Sequence, residues 1–357
     1  MLYRDTYATV NIKHLLHNVD YVYSHVQKPM MAIIKANAYG HGYKEVASIL
    51  KDKDEIITFG VATLKEAVDL RKAGVKKDIL VLGAIPLDDL DIVVENDISL
   101  TLFSFDYLKE IIALHHHNKP IKVHIALDTG MNRIGFKTKQ DFDQVLSLCP
   151  NGIIEVDGVF THFATADMKD KEDEYNLQLK KFEEILDGRT FKYIHCQNSA
   201  SMAYHKPTNT NMTRIGISMY GVDPAGEESE DLQQVMSLYT RVALVKEVKK
   251  GEHIGYGYTY TASSDCLIAT LPIGYADGFI RENQDRNVYI NGKEYPVVGR
   301  VCMDQVMIKV DEDVKVHDLV EIFGEHISLS RMAKELHTIP YEITCLLSER
   351  VEKEYIY

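Results

Sequence analysis

From Met31 to Ile217 the chain carries eight short runs of strand character that alternate with segments of helical spacing. The strand-like runs are Met31–Ile34, Ile57–Val61, Ile79–Leu82, Ser99–Phe103, Lys122–Leu127 and Glu155–Phe160, then one within Phe191–His195 and one within Thr213–Ile217. Between them lie helical patterns at Tyr43–Lys51, Leu64–Ala73 with Gly74 as a stop, after Pro86 with Asp88 and Asp89 in the first turn, Phe105–His115, Phe142–Leu148, Tyr175–Leu186 and Ser199–Ala203. Continuous apolar runs suit strands buried on both faces, as in parallel sheets. Eight such units predict a (β/α)8 TIM-type barrel, which typically uses about 250 residues. Alternation alone does not close a sheet, so an open doubly wound sheet is the runner-up.

The grammar changes at Asp223–Asp231, a Pro/Gly/acid stretch that reads as a linker. Beyond it the segments Val242–Val248, His253–Tyr260, Leu267–Leu271, Val288–Ile290, Val297–Cys302, Val306–Val310 and Leu319–Phe323 are short and β-rich, with one helix at Ser330–Leu336. Asn291-Gly292 is a type I′ hairpin signal. The expected organisation is therefore a barrel over 1–230 and a mainly β C-terminal domain over 231–357. Ahead of the barrel, Ala8–Ile12 reads as extended and His14–Val26 as a helix; residues 1–12 are a candidate to pack with the β-domain.

A net charge of -13 over 357 residues disfavours nucleic acid or an anionic membrane as the partner and points to a small molecule. No apolar run approaches the roughly 18 residues of a membrane helix, and the start of the chain lacks the order of a signal peptide. The five cysteines are widely spaced and odd in number, which suggests reduced thiols in the cytoplasm and neither disulfides nor zinc. His115, His116 and His117 are consecutive, hence splayed round a helix end; they read as solvated surface, and no metal is expected.

Barrels of this kind assemble their sites at the carboxyl ends of the strands. The first apolar run ends in Lys35, where partial desolvation lowers an amine's pKa and makes it nucleophilic. Tyr39 follows four residues on. After the fifth strand LDTGMNRIG carries Arg133; after the sixth, THFATAD carries His162; HCQNSAS brings His195, Asn198, Ser199 and Ser201; TRIGISMYG brings Arg214, Gly216, Ile217 and Tyr220. Ser199, Gly216 and Ile217 would offer hydroxyl and main-chain N–H donors to a phosphate. Singly these residues read as a snorkelling lysine, an N-cap, a turn glycine, surface arginines and a core histidine. Jointly, on one rim, they are the parts of a pyridoxal 5′-phosphate (PLP) site. Arginine holds its proton, so an arginine facing the pyridine nitrogen of such a cofactor would leave that nitrogen unprotonated and the ring a weaker electron sink. That suits proton removal on one face and return on the other.

The segments AIIKANAYGHG, LDTGMNRIG, THFATAD, HCQNSA, TRIGISMYG, IGYGYTYTA, PIGYADG and VGRVCMDQ, in that order, resemble the alanine racemases, with likeness running to TIPYE at Thr338–Glu342. The resemblance implies a homodimer whose active sites are shared between subunits, alanine as substrate, and D-alanine made for peptidoglycan. It implies Lys35 as cofactor anchor and base toward the D-antipode, and Tyr256 of the partner subunit as base toward the L-antipode. It further implies Tyr39, Ser199, Gly216, Ile217 and Tyr341 at the phosphate, Arg214 at the pyridine nitrogen and His162 beside the ring. Arg133 and, from the partner subunit, the main-chain N–H of Met303 would hold the substrate carboxylate, and Tyr275, Cys302 and Asp304 would line the access channel.

One departure stands out: some relatives carry a carbamylated lysine that positions the barrel arginine, and here that position is Ala126. Three alternatives remain. A PLP decarboxylase of basic amino acids would be expected to have an acid where Arg214 stands. A serine or dual alanine/serine racemase would be expected to have a smaller residue at Tyr341. A non-catalytic PLP carrier would lack the β-domain and Tyr256.

Overall fold

The computed structural model describes residues 4–357, so the expectation for residues 1–12 falls partly outside them. The chain divides into two compact units: one holds residues up to Asn18, Tyr39–His41 and Tyr220–Tyr357, the other Val19–Ala38 and Gly42–Met219.

The second unit is the barrel. After strand β1 (Tyr7–Asn11), which belongs to the other unit, come β2 (Met30–Ile33), β3 (Ile56–Val61), β4 (Asp78–Val81), β5 (Ser99–Leu102), β6 (Ile121–Ala126), β7 (Ile154–Phe160), β8 (Tyr193–His195) and β9 (Thr213–Ile215). They lie in the order 8-7-6-5-4-3-2-9, all parallel, so β2 sits between β3 and β9. A parallel bridge from His195 to Met212 joins the two ends and leaves the barrel nearly closed, which excludes the open doubly wound sheet. Every residue of β2 and β5 is buried, as continuous apolar runs require. The helices start where side chains can cap them: Thr63 with Glu66 and Thr138 with Asp141 form reciprocal capping boxes, and Ser104 accepts from the Tyr107 N–H. Each cap contributes about 1 kcal/mol and fixes where the chain leaves the rim.

The first unit is built on a nine-stranded sheet. Its members are β1, β10 (Met236–Arg241), β11 (Leu244–Val248), β14 (Cys266–Leu271), β15 (Asn287–Ile290), β16 (Lys293–Val298), β17 (Val306–Val310), β18 (Leu319–Phe323) and β19 (Glu352–Ile356); β12 (His253–Ile254) and β13 (Tyr260–Thr261) form a separate hairpin. β1 runs antiparallel to β10 and parallel to β19. Asn291 and Gly292 both take positive φ between β15 and β16, as a type I′ turn requires.

Three elements differ from expectation. His253–Tyr260 is not one strand, because Gly255 and Gly257 take φ of 73° and 71° and fold it into a hairpin tip. The strand expected at Val297–Cys302 instead runs over Lys293–Val298 and stops at Gly299. A second helix, Pro340–Leu346, opens with proline at its first position, where a missing N–H costs nothing. Among the described residues no helix is long and apolar enough to cross a membrane.

Candidate active site

Lys35 follows β2 after a single residue, Ile34, half-buried, at the carboxyl end of a strand. The next four residues, Ala36, Asn37, Ala38 and Tyr39, all have φ between 51° and 55°. A left-handed turn of non-glycine residues costs about 1–2 kcal/mol for each. Such strain survives only where surrounding structure holds it, and it clusters at functional sites. The sequence signals only Asn37, the one residue type in the run that tolerates this conformation readily.

Arg214, in β9, is buried and almost fully committed. Its Nη1 donates to the His195 Nδ1 and the His195 carbonyl, each at 2.9 Å; its Nη2 donates to the Thr161 and Cys196 carbonyls at 2.9 and 3.1 Å and lies 3.2 Å from the His162 Nδ1. Burial pulls its pKa down to about 10, with nearby Arg133 adding to the effect against the opposing pull of Cys196; it still carries its proton at neutral pH. His162 is the meeting point of the rim. Burial first, then the positive charges of Arg214, Arg133 and Lys35, push its imidazole down to about 3. The ring is therefore neutral, with its lone pair on Nδ1 facing Arg214 and its proton on Nε2. The three cations singled out from the sequence and His162 thus share one neighbourhood.

Because arginine only donates, the contact with Arg214 also fixes His195. Its Nδ1 accepts, so its Nε2 carries the proton and donates to the His124 Nδ1 at 2.9 Å. His124 projects inward from β6 against Gly158, where any side chain would collide with its ring. His124 belongs to no motif; its one signal in the sequence is the position two residues before Ala126, on the same face of β6. Burial drives His124 down to about 3 and His195 well below the ordinary histidine range. In the unfolded chain both would take up protons below about pH 6.5 while the folded barrel refuses them, so stability falls as pH drops from there. From about pH 7.5 to about pH 5 the two together should cost about 4 kcal/mol. Urea unfolding at the two pH values tests this; equal midpoints would refute it.

Arg133 sits exposed in the loop after β6. Buried Asp128 shapes that loop by accepting from the Gly130 and Asn132 N–H groups at 3.2 and 2.9 Å. Ala126 is 2% exposed, and among the described residues no carboxylate lies within ion-pair distance of Arg133. After β8, Asn198 caps the helix Ser199–Tyr204 in a box with Ser201. The buried Ser199 Oγ accepts from the Gly216 N–H at 3.0 Å and from the Ser218 N–H at 3.4 Å, so Ser199, Gly216 and Ile217 lie together where the loops after β8 and β9 meet.

The remaining residues lie in the first unit. Tyr39 packs between Tyr220, 5.1 Å away, and Tyr341, edge-on at 6.1 Å, and burial raises its hydroxyl pKa. Tyr256 occupies the tip between β12 and β13 and is 72% exposed. A side chain at Gly257 would press on the Arg300 guanidinium at 3.1 Å, which places that cation against the tip. Tyr275 and Met303 are also exposed, and their segments cross tightly: the Tyr275 and Ala276 N–H groups donate to the Cys302 and Met303 carbonyls. A Cβ at Gly274 would lie 2.4 Å from both carbonyl oxygens, so only glycine fits the crossing. Burial raises the Cys302 thiol pKa, and Asp304 pairs with Arg350 at 2.7 Å.

The family model for the N-terminal domain of alanine racemase matches residues 10–224, and that for its C-terminal domain matches 235–355. Alanine racemase 1 of Bacillus subtilis is 37% identical, covering 99% of this chain and 94% of its own length. The crystal structure of alanine racemase from E. faecalis superposes with a TM-score of 0.94 at 36% identity, over 99% of this chain and 100% of that one. A histidine racemase from Leuconostoc mesenteroides subsp. sake shares the fold at a TM-score of 0.91 and 27% identity, each chain 99% covered. With both domains matched in order and relatives aligned over nearly their whole length, the chain belongs to the alanine racemase family of isomerases.

Proposed function

We propose that this enzyme interconverts L- and D-alanine with pyridoxal 5′-phosphate, using Lys35 and the Tyr256 of a second copy of the chain as bases on opposite faces of the substrate. The observation that carries the reading is the convergence of Lys35, Arg133 and Arg214 on a neutral His162. The donor set fits the cofactor: an amine for its aldehyde carbon, an arginine for its ring nitrogen, a second arginine for its phenolic oxygen, and a hydroxyl with neighbouring N–H groups for its phosphate. None of these groups is a carboxylate.

When bound, the cofactor makes the α-proton of an amino acid removable by spreading the resulting charge into its ring. The chain's own residues do the rest. Ser199, Gly216, Ile217, Tyr39 and Tyr341 would hold the phosphate, with Asn198 setting the helix that carries Ser199. Arg214, a donor whose proton is held at neutral pH, would meet the ring nitrogen without protonating it. His162, neutral, would lie beside the ring without adding charge. Arg133 and the Met303 N–H of the second copy would hold the substrate carboxylate; on opposite faces, one of the Lys35 amine and the Tyr256 phenolate would remove the α-proton while the other, in its protonated form, delivers a proton to the opposite face. Tyr275, Cys302 and Asp304 would border the approach.

The exposure of Tyr256, Tyr258, Tyr275 and Met303 supports a homodimer, because large apolar side chains gathered on one domain favour a protein partner. D-Alanine made in the cytoplasm would serve peptidoglycan. The likeness to a histidine racemase makes the side chain of the substrate the point to test. Purified protein supplied with the cofactor and offered L-alanine, L-serine and L-histidine should form D-alanine fastest in a chiral assay. Faster turnover of another amino acid overturns the substrate, and no turnover of any overturns the reaction.

A further inference from the structure

The histidine run expected to splay round a helix end does so only in part. His115 turns away, its Nε2 2.9 Å from the Lys119 carbonyl. His116 and His117 instead stack, ring centroids 4.4 Å apart at 28°, and both direct Nε2 at the Asp91 Oδ1, at 3.4 and 2.8 Å. Asp91 comes from the helix Leu90–Glu95, and the histidines follow the helix Phe105–Leu114, so two successive barrel units contribute.

We propose that Asp91, His116 and His117 form a binding site for a first-row divalent transition metal such as Zn²⁺ or Ni²⁺. The Nδ1 of His116 lies 3.0 Å from the Leu114 carbonyl, which only accepts, so the proton of the neutral ring sits there and the lone pair is on Nε2. A metal-ligating histidine is commonly held by this very arrangement, its other nitrogen donating to a backbone carbonyl. That lone pair faces a carboxylate oxygen, itself only an acceptor. Two acceptors face to face repel unless a proton or a metal cation lies between them, and a metal can take both at once with His117. Their spacing suits one: metal–ligand bonds of about 2.0–2.1 Å in a tetrahedral site put ligand atoms about 3.4 Å apart. The three ligand atoms lie within 4.8 Å of one another, and the His117 contact needs to open by only about 0.6 Å to reach that spacing. Two imidazoles and one carboxylate suit zinc, nickel or copper and not magnesium or calcium. The histidines precede β6, at the end of the barrel opposite the catalytic rim, so the ion would tie two helices together and leave turnover unchanged.

The test is calorimetric titration of the holoenzyme with Zn²⁺ and with Ni²⁺, excess Mg²⁺ being present throughout. The expected result is one saturable site per chain, weakened at least about 10-fold in His116→Ala and in His117→Ala, with racemisation rates equal to wild type in both. Zinc should also raise the thermal midpoint of the wild type and not of either variant, and a zinc-soaked crystal should give an anomalous peak between the three side chains. Wild-type binding no tighter than that of His116→Ala, binding that both substitutions leave intact, or displacement by Mg²⁺ would each overturn the proposal.

Discussion

Lys35→Ala should abolish racemisation in both directions, lowering kcat at least about 10⁴-fold, the upper end of what a positioned general base contributes, because in the proposed mechanism the same amine also anchors the cofactor. The loss should be chemical and not a failure to fold. The substitution removes a half-buried amine at a strand end and leaves intact the strained residues that follow it, Ala36 to Tyr39. Alanine itself is well tolerated at such a site, so far-ultraviolet circular dichroism and the thermal midpoint should stay close to wild type. The visible absorbance of bound cofactor should shift or vanish, and added methylamine should restore part of the rate by replacing the missing amine. Turnover above about one per cent of wild type in a cofactor-loaded Lys35→Ala preparation would remove Lys35 from both roles.

The barrel was legible because burial on both faces writes itself into sequence as uninterrupted apolar runs. Even β8 and β9, three residues each, were bracketed by their flanking motifs. The β-domain was less so. β10 alternates buried and half-buried residues and does not stand out beside the linker, and β19, with its sequence EKEYI at the sheet edge, looks like surface. The helix Pro340–Leu346 is too short for a periodic signal. At the rim, residue types could be read but not their states. That His162 is neutral follows first from its burial and then from cations brought to it by three separate strand ends. The lock on Arg214 is made mostly by main-chain carbonyls, which no side-chain pattern advertises. The left-handed run after Lys35 and the Asp91–His117 contact are likewise products of tertiary packing.

Tyr256→Phe should cost about 10²–10⁴-fold in racemisation, the range for loss of one general acid–base group. Tyr256 is 72% exposed, so losing its hydroxyl should change stability by less than about 0.5 kcal/mol. Net rates in the two directions must fall together, because the equilibrium constant is fixed by the amino acids; the face of the substrate is revealed by isotope exchange. In deuterated water the variant should still exchange the α-proton of D-alanine, the antipode assigned to Lys35 in the proposed mechanism, and should exchange that of L-alanine at a rate reduced as far as racemisation. Equal loss of both exchanges would refute a division of labour between two bases. The origin of Tyr256 can be read from the same variant. If each site combines Lys35 of one chain with Tyr256 of the other, a mixed dimer of Lys35→Ala and Tyr256→Phe chains has both defects in one site and neither in the other. Half the dimers in an equilibrated equal mixture are mixed, so activity should return to about a quarter of wild type from two nearly inactive preparations. If both residues served a site within one chain, every site would keep one defect, and mixing would restore nothing.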